Sequence, residues 1–244
     1  MNKPLIIAHR GASFYAPENT LISYKKAVEM EADAIEIDVH RSKDGHLVVC
    51  HDEKVDRTTN GIGYIRDLNL EEIKKLDAGS WFDEKYTNMK IPLLEEVLQF
   101  VKEQSILLNI ELKNGPIFYD NIEEDLIRII KIYKLEEKVL ISSFNHYSLL
   151  KMKMLAPDIK TGILYIGGMV SPWEYAKKLH ADAIHPLFYT INEEIVTESI
   201  ENGISVNPFT VNGEKELMLV YKFGVSGIIT DRPDVAKNII NSVN

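Results

Sequence analysis

Cysteine is nearly missing from this sequence. A single residue, Cys50, in a chain of 244 excludes an internal disulfide and any cysteine-based metal centre. Positive charge is also short: 28 Lys and Arg stand against 37 Asp and Glu, a net charge of −9. That balance argues against nucleic-acid binding and disfavours an anionic bilayer. No apolar run approaches the roughly 20 residues of a membrane span, and no basic, Trp-rich amphipathic segment offers stable membrane insertion. The opening Met-Asn-Lys-Pro-Leu-Ile-Ile-Ala-His has too short an apolar stretch for a secretion signal; it reads as a first strand and predicts a cytoplasmic location. Low-complexity tracts are absent, and an apolar content of 45% excludes disorder.

What is present is a recurring unit. Short runs rich in β-branched residues are each followed by a stretch with helical spacing, the pattern of a parallel sheet wrapped by helices. Strands are expected at Leu5 to Ala8, Ala34 to Val39, Leu107 to Leu112, Val139 to Ser142, Thr161 to Tyr165, Ala183 to Pro186, Ser205 to Pro208 and Gly227 to Thr230. Eight such units close a (β/α)8 TIM barrel, and about 250 residues is the usual length for one. The prediction is a single domain over residues 1–244. Pro17-Glu18-Asn19-Thr20 supplies a cap residue and an early acid for the first helix, and Gly203 closes the helix before the seventh barrel strand.

One unit departs from the pattern. Leu47 to Cys50 follows Asp44-Gly45, a hairpin signal, so it should run antiparallel to the second strand and bring His51 roughly opposite Glu36. From Asp52 to Ile91 the chain is polar and turn-rich, too long for an ordinary connection, and reads as a small inserted subdomain. Its apolar residues, Trp81, Phe82 and Tyr86 among them, suit a cap over the mouth that would set substrate choice.

In such a barrel the chemistry sits at the carboxyl ends of the strands. The first strand ends at His9-Arg10-Gly11; the second carries Glu36 and Asp38 on one face, with Ile35, Ile37 and Val39 on the other. Asn109, Glu111 and Lys113 alternate in the same way along Leu107 to Lys113. A parallel barrel strand has water on neither face, so Glu36, Asp38 and Glu111 are driven inward together, and buried like charges call for a cation. An all-oxygen set suits Mg²⁺ or Ca²⁺. With a divalent ion, Lys113 and Arg10 leave one net positive charge, matching the single negative charge of a phosphodiester. His9 and His51 then supply the general base and general acid that P–O cleavage requires. His185 and Phe209, at later strand ends, are expected to line the mouth and bind substrate. His40, His46, His146 and His180 read as exposed or incidental, and Ser142-Ser143 as structural.

The same residues fall in ordered motifs: His9-Arg10-Gly11, Pro17-Glu18-Asn19-Thr20, Glu36-Ile37-Asp38-Val39, Val48-Val49-Cys50-His51-Asp52, Arg57-Thr58-Thr59, Ile91-Pro92, Asn109-Ile110-Glu111-Leu112-Lys113, Ser143-Phe144 and Thr230-Asp231-Arg232-Pro233. As an ordered set covering nearly the whole chain, they resemble the glycerophosphodiester phosphodiesterase family. The resemblance implies a metal-dependent barrel hydrolase of deacylated phospholipids, releasing glycerol 3-phosphate and an alcohol. It implies metal ligands at Glu36, Asp38 and Glu111, an acid and a base at His9 and His51, and phosphate binding by Arg10 and Lys113. Phe209 stands where the family often has Trp, and Leu93 where Thr is frequent. A lysophospholipase D-like activity on the same barrel, a retaining glycosidase and a non-catalytic phosphodiester-binding barrel are the rival readings. The glycosidase leaves both histidines and Lys113 without work, and a binding barrel has no need of the intact set.

Overall fold

The computed structural model describes residues 3–243; residues 1, 2 and 244 of the expected single domain lie outside the described residues. In chain order the elements are β1 (Leu5–Ala8), α1 (Leu21–Glu29), β2 (Ala34–Arg41), β3 (Leu47–Val49), α2 (Leu70–Lys75), α3 (Leu94–Glu103), β4 (Leu107–Leu112), α4 (Ile122–Tyr133), β5 (Val139–Ser143), α5 (His146–Leu155), β6 (Lys160–Tyr165), α6 (Pro172–Lys178), β7 (Ala183–Pro186), α7 (Glu193–Glu201), β8 (Ser205–Val206), α8 (Glu214–Lys222), β9 (Gly227–Thr230) and α9 (Pro233–Val243). Parallel ladders join β8-β7-β6-β5-β4-β2-β1-β9 in that order. Between β8 and β9 the barrel is closed by single backbone bonds, Ser226 N–H to Val206 O at 2.9 Å and Ile229 N–H to Pro208 O at 3.0 Å. It is the expected TIM barrel. Among the described residues, no helix is long and apolar enough to cross a membrane.

The ladder of β8 stops at Val206, short of the expected Pro208. Proline has no N–H to give a ladder, yet the chain stays extended, with Asn207 N–H on Ile184 O and Phe209 N–H on Pro186 O. Outward-facing strand residues, Ile35, Ile37 and Val39 in β2 among them, are fully buried in one core cluster with helix residues such as Leu94 and Leu98. Each such side chain contributes about 1.5–3 kcal/mol by leaving water. At the start of α1, Thr20 Oγ1 accepts the Ser23 N–H and Ser23 Oγ accepts the Thr20 N–H, a reciprocal cap.

The hairpin forms as expected, with Gly45 at φ +90° in its turn and β3 antiparallel to β2. Val39 pairs with Val49 and Cys50 donates its N–H to Asp38 O at 3.0 Å; continuing that register carries His51 to within one residue of Glu36, in keeping with the rough pairing expected. From Asp52 to Ile91 the chain builds α2 and two single 3-10 turns around a small apolar cluster of Val55, Ile65, Ile73, Ala78 and Ile91, which shares Val48 and Cys50 with the hairpin. Phe82 meets Trp81 edge-on at 5.7 Å and Tyr86 at a tilt at 5.8 Å, and Tyr86 Oη donates to Tyr15 O at 3.0 Å. The segment is therefore fastened to the flank of β3 and to the loop after β1.

Candidate active site

Strand alternation sets the centre of the site. With Ile35, Ile37 and Val39 turned outward, Glu36 and Asp38 face the barrel axis, and the parallel register sets Glu36 beside Asn109 and Asp38 beside Glu111. Ligand oxygens of Glu36, Asp38 and Glu111 lie within 4.8 Å of one another. Burial, together with the charges of Asp38 and Glu111, pushes the Glu36 carboxyl well above the ordinary range. Burial also raises Glu111, against the pull of Lys113. At Asp38 burial works in the same direction but is outweighed by Lys113 and Arg10, which hold that carboxylate ionised. Lys113 Nζ lies 2.7 Å from Glu111 and 3.4 Å from Asp38, while Asn19 Nδ2 donates to Asp38 Oδ2 at 2.8 Å. Asp38 Oδ1, though buried, has no hydrogen-bond partner. A buried carboxylate oxygen with no hydrogen-bond donor, faced by Lys113 only at ion-pair distance, inside an all-oxygen cluster fits a hard divalent cation.

The turn after β1 serves the same cluster. Arg10 and Gly11 both take left-handed backbone, at φ +55° and +84°, which aims the Arg10 N–H at Glu36 Oε2, 2.8 Å away. Glycine is required at position 11 on a second count, because a Cβ there would come within 2.3 Å of Ser23 Oγ.

Each histidine is held from behind by an aspartate. His9 Nδ1 is 2.6 Å from Asp231 Oδ1, and Asp231 also accepts from Ser13 Oγ at 2.9 Å and Asn212 Nδ2 at 2.5 Å. His51 Nδ1 is 2.6 Å from Asp52 Oδ1. Arg57 clamps Asp52 and pairs with both oxygens of Glu18; its hydrogen bonds hold the Asp52 pKa down to about 2. Glu18 in turn accepts from Arg10 Nη1 at 2.9 Å. Burial lowers the pKa of His51, with Lys113 and Arg10 adding to the effect. With Nδ1 occupied on both rings, Nε2 is the nitrogen left for proton transfer.

Residues 9–235 match the model of the glycerophosphoryl diester phosphodiesterase family. The chain belongs to that family. A glycerophosphodiester phosphodiesterase of Caldanaerobacter subterraneus subsp. tengcongensis is 50% identical over 238 residues, covering 98% of each protein. The Oleispira antarctica phosphodiesterase, solved in complex with its product sn-glycerol-3-phosphate, superposes with a TM-score of 0.88 at 33% identity, over 98% of this chain and 97% of that one. A structure from Silicibacter pomeroyi shares the fold with a TM-score of 0.91 at 24% identity, over 98% and 94% of the two chains.

In this member of the family the predicted residues do not all gather. His9, Arg10, Glu36, Asp38, His51, Glu111 and Lys113 cluster at the carboxyl ends of β1, β2 and β4. Phe209 packs on Ile7, Ala34 and Ile229 and meets Phe144 edge-on at 6.0 Å. His185 does not line the mouth. It is fully buried, bonded to Asn207 at 3.1 Å, and faces a cavity of about 350 Å³ lined by Leu5, Ala34 and Leu107 at the opposite, amino-terminal ends of the strands. Burial lowers its pKa to about 3, so it is neutral. His40 and His146 are not incidental. His40 is buried between Tyr119 Oη and the His51 carbonyl, and His146 bridges Tyr175 Oη and Leu164 O. Sequence reasoning assigned no role to Glu18, Asn19, Asp52, Arg57, Asn212 or Asp231. Asp231 follows the carboxyl end of β9, where the rule that marked His9 would have marked it too; Glu18 and Arg57, 39 residues apart, give no local signal.

Proposed function

We propose that the chain hydrolyses glycerophosphodiesters to glycerol 3-phosphate and an alcohol, with Glu36, Asp38 and Glu111 holding Mg²⁺ or Ca²⁺. The observation that carries this reading is the juxtaposition of the three carboxylates with two aspartate-backed histidines and two cations. When bound, the metal supplies Lewis-acid stabilisation of charge on the phosphoryl oxygens. Arg10 and Lys113 bind and orient the non-bridging oxygens, Arg10 by its planar fork and Lys113 as a compact charge. Of His9 and His51, one takes the proton of the attacking hydroxyl at Nε2 and the other protonates the departing alkoxide. Asp231 and Asp52 keep the Nδ1 protons in place and stabilise each imidazolium as it forms. The glycerol hydroxyl next to the ester oxygen is placed for intramolecular attack, which would give a cyclic phosphate before hydrolysis. Phe209 contributes to the wall against which the substrate lies.

We read the whole chain, with the segment from about 52 to 91, as one catalytic domain acting on a small water-soluble diester in the cytoplasm. The family relationship supports the reaction, and the Oleispira antarctica phosphodiesterase with its bound sn-glycerol-3-phosphate supports the substrate class. A panel of glycerophosphodiesters, assayed by coupled detection of glycerol 3-phosphate, tests it. Turnover should vanish in excess chelator and return with Mg²⁺ or Ca²⁺. Full activity in chelator, or no glycerol 3-phosphate from any diester, would refute the proposal.

A further inference from the structure

A groove of about 550 Å³ runs outward from His51, Glu111 and Lys113 to the loops that follow β4 and β5. Its outer half is built from three aromatic side chains, Phe118, Phe144 and Tyr147, together with Glu53. The rings are 74%, 47% and 86% exposed, so they contribute little to the core, and an exposed aromatic group beside a reactive centre is a recognition surface. They are also held in place. Asn114 accepts the Tyr119 N–H at 2.8 Å and donates to Glu123 and Ser148, while Asn145 Nδ2 donates to Asn114 O at 2.7 Å. These bonds staple the two loops to each other, and Phe209 fixes Phe144 edge-on.

The charges along the groove are ordered. Lys113 lies at the inner end, committed to Glu111 and Asp38. Outside the lining, Arg57 is committed to Asp52 and Glu18, and Arg41 to Asp125 and the Asp120 carbonyl. Glu53, by contrast, has no ion-pair partner among the described residues. The groove thus offers cations where a phosphodiester would lie, and aromatic faces with one free carboxylate a short way out.

We propose that this outer groove is the subsite for a positively charged alcohol of the diester, a trimethylammonium or ammonium head group. It rests on the phosphodiesterase reading above. An organic cation is attracted by aromatic faces through their quadrupoles and by a carboxylate through its charge, and trimethylammonium gains most because it sheds water easily. An acyl chain in the same groove would match the rings but would leave Glu53 unpaired and partly desolvated. Substrate choice then falls to the loops after β4 and β5. Of the segment from Asp52 to Ile91, the groove is lined by Asp52 and Glu53 alone, so the expected cap is not what shapes it.

The test compares two diesters in the metal-loaded enzyme: glycerophosphocholine and its carbon isostere, the uncharged 3,3-dimethylbutyl diester. Wild type should favour the cationic substrate in kcat/KM by about 10-fold, and Glu53→Gln, Phe118→Ala and Tyr147→Ala should each pull that ratio towards one. Equal rates for the two diesters in wild type, or a ratio unmoved by the variants, overturns the proposal; a preference for the isostere and for an acylated lysophospholipid overturns it in favour of an apolar occupant. Tetramethylammonium titration followed by tyrosine and tryptophan fluorescence reads the subsite without turnover. Saturable binding in wild type that weakens in Glu53→Gln and Tyr147→Ala supports the subsite even if no diester is cleaved, which would sink the catalytic reading alone. Absence of binding overturns the subsite.

Discussion

Replacing Asp231 by Asn removes one charge and leaves the shape unchanged, yet the hydrogen bonds around it permit no good orientation of the new amide. Asn212 is already fixed, because its Oδ1 accepts the Asp231 N–H at 2.9 Å and the Thr230 hydroxyl at 3.1 Å. Its Nδ2 must therefore donate to the outer oxygen of residue 231, 2.5 Å away. In the Asp231→Asn variant the new amide oxygen has to face Asn212, which turns the NH2 towards His9 Nδ1 and Ser13. His9 can then only accept at Nδ1, so its proton moves to Nε2, the nitrogen that must be free to take one. Losing a charge-assisted hydrogen bond alone is worth about 1.5–3 kcal/mol, and loss of general acid–base function costs about 10²–10⁴ in rate. We therefore expect kcat to fall by about 10²–10⁴-fold, with KM changed by less than about 3-fold. Steady-state kinetics measures the first effect, and ¹⁵N NMR of the imidazole reports the tautomer directly. A variant that folds normally with wild-type kcat, or that keeps the proton on Nδ1, would refute the reasoning.

His185 should make the fold acid-sensitive. Buried, it stays neutral down to about pH 3, whereas the unfolded chain protonates it near its ordinary 6.5. Between those values the unfolded state holds the extra proton, so stability falls as pH drops, by about 1.4 kcal/mol per pH unit; urea unfolding of His185→Gln should show a slope against pH shallower by that amount, and an unchanged slope would contradict it. Ile73 is fully buried in the cluster beside β3, so Ile73→Ala should cost about 2–5 kcal/mol, read as a lower midpoint in urea, and a cost under about 0.5 kcal/mol would mean the cluster contributes nothing to folding. A diester lacking the hydroxyl next to the ester oxygen should be cleaved far more slowly than its glycerol counterpart, whereas equal rates would point to direct attack by water.

The sequence by itself determined the barrel and the centre of its site. The alternation of apolar and acidic residues in β2 and β4 leaves those strands one way to sit between an axis and a layer of helices, and that alternation also sends Glu36, Asp38 and Glu111 inward. His9 and Lys113 were legible for the same reason, since each extends a strand at its carboxyl end. Tertiary structure alone decided what joins elements distant in sequence. Hairpin register set Cys50 beside Asp38, because pairing depends on how the Asp44-Gly45 turn closes. Asp231 reaches His9 only because β9 lies beside β1, and Glu18 meets Arg57 only once the segment after β3 folds back onto the loop before α1. His185 shows the converse: its place at a strand end suggested the mouth, but Gly162, where a Cβ would come within 2.7 Å of the His185 ring, leaves space inside the barrel that the imidazole fills. A strand pattern gives the face a side chain takes, whereas its height along the axis depends on the tilt and stagger of all eight strands together.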